Sequence, residues 1–478
     1  MKIFEFLEVD LKKFNHSKSR KIKLMICGSI LVISFTVIGY RTISLASVSR
    51  DNITNILNKK TESRAFNSNL RGNIYDRNNN ILATTIDTLS LNINPQEVLN
   101  KHETIIKLLH IFPQLNKKDL LKKFNSNKKH INILREISPR EHVRLLQTGI
   151  EGLKIQKRSK RIYPNNTLAS HILGSTDIDG KGIAGVENKF NSKLQKGKNV
   201  TLSIHSGIQH ITRKLLLDQI TRFEADGGAG IVMDAKNGQI YSTVSLPDYN
   251  ANNYSKILNK TLFNKATKGI YELGSTLKLI TAAIAFESKL INENEVFDVS
   301  KPLKVSSRII TDFHPLNYSI NIPEVIVHSS NIGSAKIAEK FGPNIQLKYL
   351  KSLGLTNMLS LEIPELGKPQ VLMDKKVLTT MTISYGHGIS ITPMHLASVT
   401  ATIVNNGIKV DPTLILDQKS KINKQIISPE TSMKMKSIMR LVVSNKHGTA
   451  KKADVSGYLV GGKTGTAEKI KPNGGYFK

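Results

Sequence analysis

The uncharged, mostly apolar run Leu24–Tyr40 (LMICGSILVISFTVIGY) limits this chain more than any other feature. Its length is at the short end of the roughly 17–25 residues that span a bilayer as a helix. The twelve residues before it, Lys12 to Lys23, carry Lys12, Lys13, Lys18, Arg20, Lys21 and Lys23. The equal window after it, Arg41 to Asn52, carries only Arg41 and Arg50. Basic residues stay on the cytoplasmic side, so residues 1–23 are expected inside, 24–40 as a single transmembrane anchor, and the rest outside. A cleaved signal peptide is the alternative, with Ser44-Leu45-Ala46 as the small-x-small site. The run exceeds the ~7–15 apolar residues of a signal core, and Arg41 separates it from that site, so an uncleaved anchor is favoured.

At about one domain per 150 residues, 478 residues leave room for two or three domains. Hydrophobic residues at 39% and charged residues at 22% exclude a disordered, collagen-like or polytopic membrane chain. The single cysteine, Cys27, excludes an intramolecular disulfide framework and any cysteine-based zinc site. No metal and no cofactor are expected. Lys+Arg 69 against Asp+Glu 37 gives +32 and invites a nucleic-acid reading. The basic residues are scattered, however, and no zinc finger, RNP-like aromatic motif or basic-zipper heptad accompanies them. A solvated basic surface without nucleic-acid binding is expected, suited to anionic headgroups or wall polymers.

Residues 41–60 read as a juxtamembrane helix or linker. From 61 to 225 short strand-like and helical pieces alternate, and Leu89–Asn94 (LSLNIN) has the period of a half-buried strand. From 226 to 478 the character changes. Gly230–Asp234 and Gln239–Val244 flank Asn237-Gly238, a hairpin signal. Apolar helices follow at Leu277–Phe286 and around Met394–Val404, and a glycine-flanked strand is expected at Tyr458–Ala467. Hairpin, helices, then strand implies a sheet with helices packed on it.

Three constellations carry chemistry. Ser275-Thr276-Leu277-Lys278 opens a run apolar nearly all round, the mark of a buried central helix. Residues three apart share a helix face, so the Lys278 amine can reach the Ser275 hydroxyl. Burial disfavours an ammonium, making neutral amine available as a base for a serine nucleophile. A second Ser-x-x-Lys, Ser126 to Lys129, sits in a polar stretch and reads as a surface loop. Ser329-Ser330-Asn331 offers a hydroxyl for proton relay and an amide for a substrate peptide group; an N-cap is the plainer reading. Ser90-x-Asn92 and Ser319-x-Asn321 share its pattern in strand-like stretches. Lys463-Thr464-Gly465-Thr466 occurs once: the lysine and the two hydroxyls suit a terminal carboxylate, and Gly465 admits close backbone approach. A bare strand edge with a solvated lysine is its plainer reading.

In this order on helix, loop and strand, the three motifs match the set of serine β-lactamases and penicillin-binding proteins. From about residue 61 the chain resembles a class B penicillin-binding protein. Arg71–Arg77 (RGNIYDR), Arg161-Ile162-Tyr163-Pro164, Ala169–Gly174 and Gly182–Glu187 (GIAGVE) are similar to boxes of that family's non-catalytic region. Ser245–Asn252 (SLPDYNAN) is similar to the segment entering its catalytic domain. Tyr271–Gly274, His328–Gly333 (HSSNIG) and Tyr385–Pro393 (YGHGISITP) most resemble the division-specific, FtsI-type member.

The resemblance implies an α/β (α+β) transpeptidase domain over 226–478, with a central antiparallel sheet and helices on both faces, on an α+β pedestal over 61–225. It implies a peptidoglycan D,D-transpeptidase that cross-links stem peptides at the septum from the periplasmic face of the inner membrane. Its implied partners are D-alanyl-D-alanine stem peptides, β-lactams and division proteins including a septal glycosyltransferase. Family roles fall on Ser275 as nucleophile, Lys278 as base, Ser329 and Asn331 in relay and positioning, and Lys463, Thr464, Gly465 and Thr466 in carboxylate binding. The oxyanion donors would be the N–H groups of Ser275 and Thr466. The chain stops at Lys478, twelve residues after Thr466, short of the further strands and helix the resemblance implies. A fragment, a truncated frame or a damaged protein is therefore expected.

Three rivals remain. A serine β-lactamase shares the motifs, but no Glu-x-x-Leu-Asn follows Asn331, and the anchor and pedestal argue against it. A penicillin-sensing receptor needs further membrane spans. A non-catalytic division scaffold would use residues 1–225 for partners and leave the truncated domain inert. The anchor has a direct test. Protease added to intact spheroplasts should digest residues beyond about 60 and spare the N-terminus; protection of the large domain would reverse the topology.

Overall fold

The computed structural model describes residues 18–46, 70–257, 260–292, 294–306, 308–416 and 424–468. They form two units, taken separately: the N-terminal helix, and the chain from Leu70 onward.

Helix α1, Lys18–Ala46, is continuous and includes Met25–Ile43, long and apolar enough to cross a membrane. It overruns the expected 24–40 at both ends. Arg41 to Ala46, expected as a juxtamembrane helix or linker, continue the helix, and residues 47–60 of that segment lie outside the described residues. Thr36 and Thr42 donate their hydroxyls to the carbonyls four residues back, at 2.6 and 2.8 Å. Polar groups satisfied within their own helix suit an apolar solvent.

The pedestal is built on a five-stranded sheet. Its spine is β2 (Ile81–Ile93), longer than the Leu89–Asn94 strand expected. At its start β2 pairs with β1 (Ile74–Tyr75), which pairs in parallel with β5 (Val200–Thr201). Farther along it lies between β3 (Ile131–Ile137) and β4 (Leu153–Ile162). Leu91 and Ile93 there enter a small core with Ile105, Leu108, Leu120 and Phe124 from helices α2 (Lys101–Ile111) and α3 (Lys117–Phe124). Both helices start at asparagine N-caps, Asn100 and Asn116, which accept their first free N–H groups.

Three of the four pedestal boxes converge on one buried carboxylate. Arg71 and Arg161 each hold one oxygen of Glu187 through Nε, at 2.5 and 2.6 Å, with all three side chains nearly inaccessible. Residues more than a hundred apart in sequence are thereby tied at the base of the pedestal. A second core joins that base to the next domain, with Ile74, Tyr163, Ile172 and Val186 meeting Ile240, Tyr249, Met394 and Leu414.

The C-terminal region, 226–478, opens with the expected hairpin, β6 (Gly228–Met233) and β7 (Ile240–Leu246), turning at Asn237-Gly238 with Gly238 at φ +76. Helix α4 (Ser206–Arg222) covers one face, where Gly228 and Gly230 lie under Leu216 and Thr212. On the other face Ala229, Ile231 and Met233 confront α8 (Pro393–Val404) across an apolar groove. The third and largest core surrounds α5 (Lys278–Ser288), buried from Lys278 to Ala285 as its apolar sequence requires. Against it pack α6 (Asn331–Ser352), α7 (Val377–Ser384) and α9 (Pro429–Ser444).

One expectation needs correction. Tyr458–Ala467 forms no strand ladder, because no strand lies beside it among the described residues. It is held by single bonds instead: Gly462 N–H donates to Met439 O at 3.0 Å, and Arg440 Nη1 to Val460 O at 2.8 Å.

The buried ion triad gives a stability test. Glu187→Ala leaves two buried guanidinium groups without their carboxylate and should cost about 3–5 kcal/mol. A urea titration reads this as a lower midpoint, and a loss under ~1 kcal/mol would show water reaching both arginines.

Candidate active site

Ser275 sits in a single 3-10 turn, Gly274–Leu277, that runs directly into α5. Lys278 is the first residue of that helix and is wholly buried, while Ser275 above it is half-buried. Four oxygens surround the Lys278 Nζ. It donates to Ser275 Oγ at 3.0 Å, Ser329 O at 2.6 Å, Ser329 Oγ at 3.3 Å and Asn331 Oδ1 at 2.7 Å. The helical spacing seen in the sequence therefore delivers the amine to the hydroxyl.

Ser329 ends the helix Ile322–His328 in a left-handed conformation, φ +59. A non-glycine residue pays of order 1–3 kcal/mol for this. The turn lets its carbonyl and hydroxyl both face Lys278. Ser330, the middle residue, is the N-cap of α6 and accepts the Gly333 N–H. The N-cap reading thus holds for Ser330, while Ser329 and Asn331 on either side point to the lysine.

Lys463 Nζ donates to the same Ser329 Oγ at 2.9 Å and to the Thr464 carbonyl at 3.0 Å. Ser329 Oγ therefore bridges the two lysines. Thr464 Oγ1 donates to Thr449 Oγ1 at 2.9 Å, and Thr466 lines the cleft beside Ser275. The close approach that Gly465 permits is to the serine's own turn. A Cβ there would stand 2.8 Å from both Leu273 O and Thr276 Cγ2. A Cβ on Gly274, at φ +53, would collide with the Thr466 carbonyl, and one on Gly386 with the Gly274 backbone. Three segments distant in sequence thus meet backbone to backbone at the residue before Ser275.

Burial, reinforced by the nearby charge of Lys463, pushes the Lys278 ammonium down to about 7; the Asp312 carboxylate pulls the other way. Burial alone pushes Lys463 down to about 8. A cleft of about 1140 Å³ opens above these groups. Ser275, Ser329, Asn331, Thr464 and Thr466 line it with Arg308, Phe313, Tyr385 and His387.

All eight site residues expected from sequence fall in this one region. The duplicate motifs lie elsewhere. Ser126 is in the turn after α3, Ser90 and Asn92 lie buried in β2, and Ser319 and Asn321 precede the helix Ile322–His328. Asp312, Thr311 and Thr449 were not legible, because no motif or spacing marks them.

Residues 228–478 match the penicillin binding protein transpeptidase domain family. The chain belongs to that family. Residues 67–203 of this penicillin-binding protein match the penicillin-binding protein dimerisation domain, so the pedestal is shared as well. It is 33% identical over 411 residues to a probable peptidoglycan D,D-transpeptidase FtsI of Caulobacter vibrioides, covering 84% of this chain and 69% of the relative. It is 28% identical to the peptidoglycan D,D-transpeptidase FtsI of Buchnera aphidicola from Schizaphis graminum, over 99% of this chain and 88% of that one. The fold resembles the penicillin-binding protein PBP2 solved in complex with MreC from Helicobacter pylori. The TM-score is 0.71 at 22% identity, covering 84% of this chain and 87% of that chain.

The depressed lysine has a consequence for stability. Between pH about 7 and the ordinary ~10.4 an unfolded lysine holds its proton while folded Lys278 has shed its own. The unfolded state then binds more protons, so stability rises with pH across that window. Lys278→Met, which keeps the stem without the charge, should flatten part of the rise in denaturant titrations at pH 7 to 10. An unchanged slope would mean that Lys278 is not desolvated.

Proposed function

We propose that this penicillin-binding protein is a peptidoglycan D,D-transpeptidase acting at the division septum through an acyl-enzyme on Ser275. The observation that carries the reading is the Lys278 amine, 3.0 Å from the Ser275 hydroxyl and depressed to about 7 by burial. Neutral Lys278 takes the Ser275 proton as Oγ attacks the penultimate D-alanine carbonyl of a stem peptide. The N–H groups of Ser275 and Thr466 receive the developing oxyanion. The amide bond breaks, and the terminal D-alanine leaves as its amine, taking a proton through Lys278 and the Ser329 hydroxyl. An amine of a second stem then attacks the ester and releases Ser275. Water in place of that amine would give carboxypeptidase, and hence hydrolase, chemistry.

Asn331 positions the substrate amide, and Lys463, Thr464 and Thr466 receive the terminal carboxylate. Gly465 keeps that segment against the serine turn. A penicillin opens on the same serine, but its amine stays tethered and the ester persists. The assembly of Ser275, Lys278, Ser329 and Lys463 supports catalysis over a scaffold with an inert domain. We further propose that α1 anchors the protein in the cytoplasmic membrane with its N-terminus inside. The pedestal, residues 61–225, then holds the transpeptidase domain, 226–478, in the periplasm. Membrane proteins of the division machinery, including a septal glycosyltransferase, are the proposed partners.

Labelled penicillin added to the full chain in detergent should attach to a peptide containing Ser275. Ser275→Ala should remain folded and unlabelled. Acylation should rise with pH through about 7 as Lys278 becomes neutral. Lys278→Arg keeps a cation that does not deprotonate, so acylation should slow by about 10²–10⁴-fold. Labelling at Ser126, or an arginine variant as fast as wild type, would overturn the assignment.

A further inference from the structure

The loop after the short strand Arg308–Ile310 grips the start of the helix that carries Asn331. One Asp312 oxygen accepts the backbone N–H groups of Asn331 and Ile332, the latter at 3.0 Å. Its other oxygen accepts the Ser330 hydroxyl at 2.6 Å. The Thr311 carbonyl accepts the Asn331 side-chain N–H at 2.9 Å. Asn331 is thus held at its backbone and at its amide nitrogen. This turns its Oδ1 to Lys278 Nζ, at 2.7 Å, and leaves the second side-chain N–H for a substrate amide.

We propose that Asp312 is a positioning residue of the acylation site, fixing Asn331 through the first turn of α6 and, through Asn331, the direction and charge of the Lys278 amine. The proposal rests on the reading of Lys278 as base and adds the group that sets it. Two charges of opposite sign act on Lys278: Lys463, from the segment after α9, and Asp312, from this loop. Neutral Ser275, Ser329 and Asn331 supply its remaining contacts. Burial and Lys463 favour the neutral amine, while Asp312 favours the ammonium. With Lys463 alone the amine would be neutral at lower pH but aimed less well. Asp312 therefore restores basicity to the amine while holding the amide that orients it. A simple helix cap would leave Lys278 untouched, which separates the two roles.

Two variants test this. Asp312→Asn keeps the shape, and its Oδ1 can still accept both N–H groups, so the turn should persist while the charge is lost. Asp312→Ala removes the grip. The first readout is a ¹⁵N-lysine NMR titration of Lys278 in the unreacted full chain in detergent. The second is penicillin acylation of Ser275 against pH. In Asp312→Asn the Lys278 titration midpoint should fall, and the acid limb of acylation should move to lower pH with it. In Asp312→Ala the limiting acylation rate should fall by up to about 100-fold, as expected for a misplaced catalytic group. A Lys278 midpoint unchanged in Asp312→Asn, or wild-type acylation by Asp312→Ala, would overturn the proposal. The NMR titration needs no acylation. Absence of labelling at Ser275 in the wild type would therefore count against the nucleophile, while the titration still decides the role of Asp312.

Discussion

The catalytic end of this protein is organised around one buried amine. Lys278 lies at the head of a helix buried from Lys278 to Ala285, where a charge is costly. Four oxygens from three residues, in two places in the sequence, converge on it: one of Ser275, two of Ser329 and one of Asn331. Each holds the lysine, and the lysine in turn holds each of them. The left-handed Ser329 makes sense only in this setting, since its strain is offset by directing two acceptors to one buried donor. The bonds that satisfy the buried amine are the same ones that the proposed acylation uses. An amine poised near neutrality needs burial to lower its pKa and acceptors to keep that burial tolerable.

Around this centre the chain uses glycine to bring backbones together. Gly274 lies between the Thr466 carbonyl and Gly386, and Gly465 presses on the turn that carries Ser275. No side chain fits between these segments, so the serine turn is positioned by main-chain contact. Two further bonds brace the scaffold beneath it. Thr281 from α5 and Ser334 from α6 both donate to the Ser384 carbonyl at the end of α7, each at 2.9 Å. The helices that carry Lys278 and Asn331 are therefore tied to the helix that leads into Gly386.

Much of this was legible because the chemistry depends on short-range spacing. Ser275 and Lys278 meet by helical geometry alone, and the apolar sequence after them predicts burial. The hairpin at Asn237-Gly238 and the run at Leu24–Tyr40 are likewise local signals. Long-range relations were not legible. Nothing near Asp312 in sequence says that its carboxylate will meet a helix beginning at Asn331, and nothing near Ser329 announces a left-handed backbone. Tyr458–Ala467 was misread for a related reason. Its glycines and alternating residues describe an extended segment, but a strand exists only where a neighbour completes its hydrogen bonds, and none does among the described residues. The duplicate Ser-x-x-Lys at Ser126 shows the same limit from the other side. It has the spacing without the apolar helix, and Ser126 lies in a turn, partly exposed, with Lys129 exposed beyond it.

The pedestal is joined to the site by more than a shared core. Glu365 accepts the N–H of Gly185, in the pedestal's Gly182–Glu187 box, through both carboxylate oxygens at 3.2 and 3.3 Å. Its own backbone carbonyl accepts the Thr267 hydroxyl at 2.7 Å. Burial raises the Glu365 carboxyl above its ordinary value. Thr267 lies eight residues before Ser275, and Gly185 two residues before Glu187, the carboxylate on which Arg71 and Arg161 converge. The pedestal's ion triad and the approach to Ser275 thus stand on either side of a single residue, Glu365, which meets one through its carboxylate and the other through its backbone. A direct connection of this kind suits an enzyme whose substrate is a polymer fixed in space, because bonds through one residue link the pedestal to the segment that leads into Ser275.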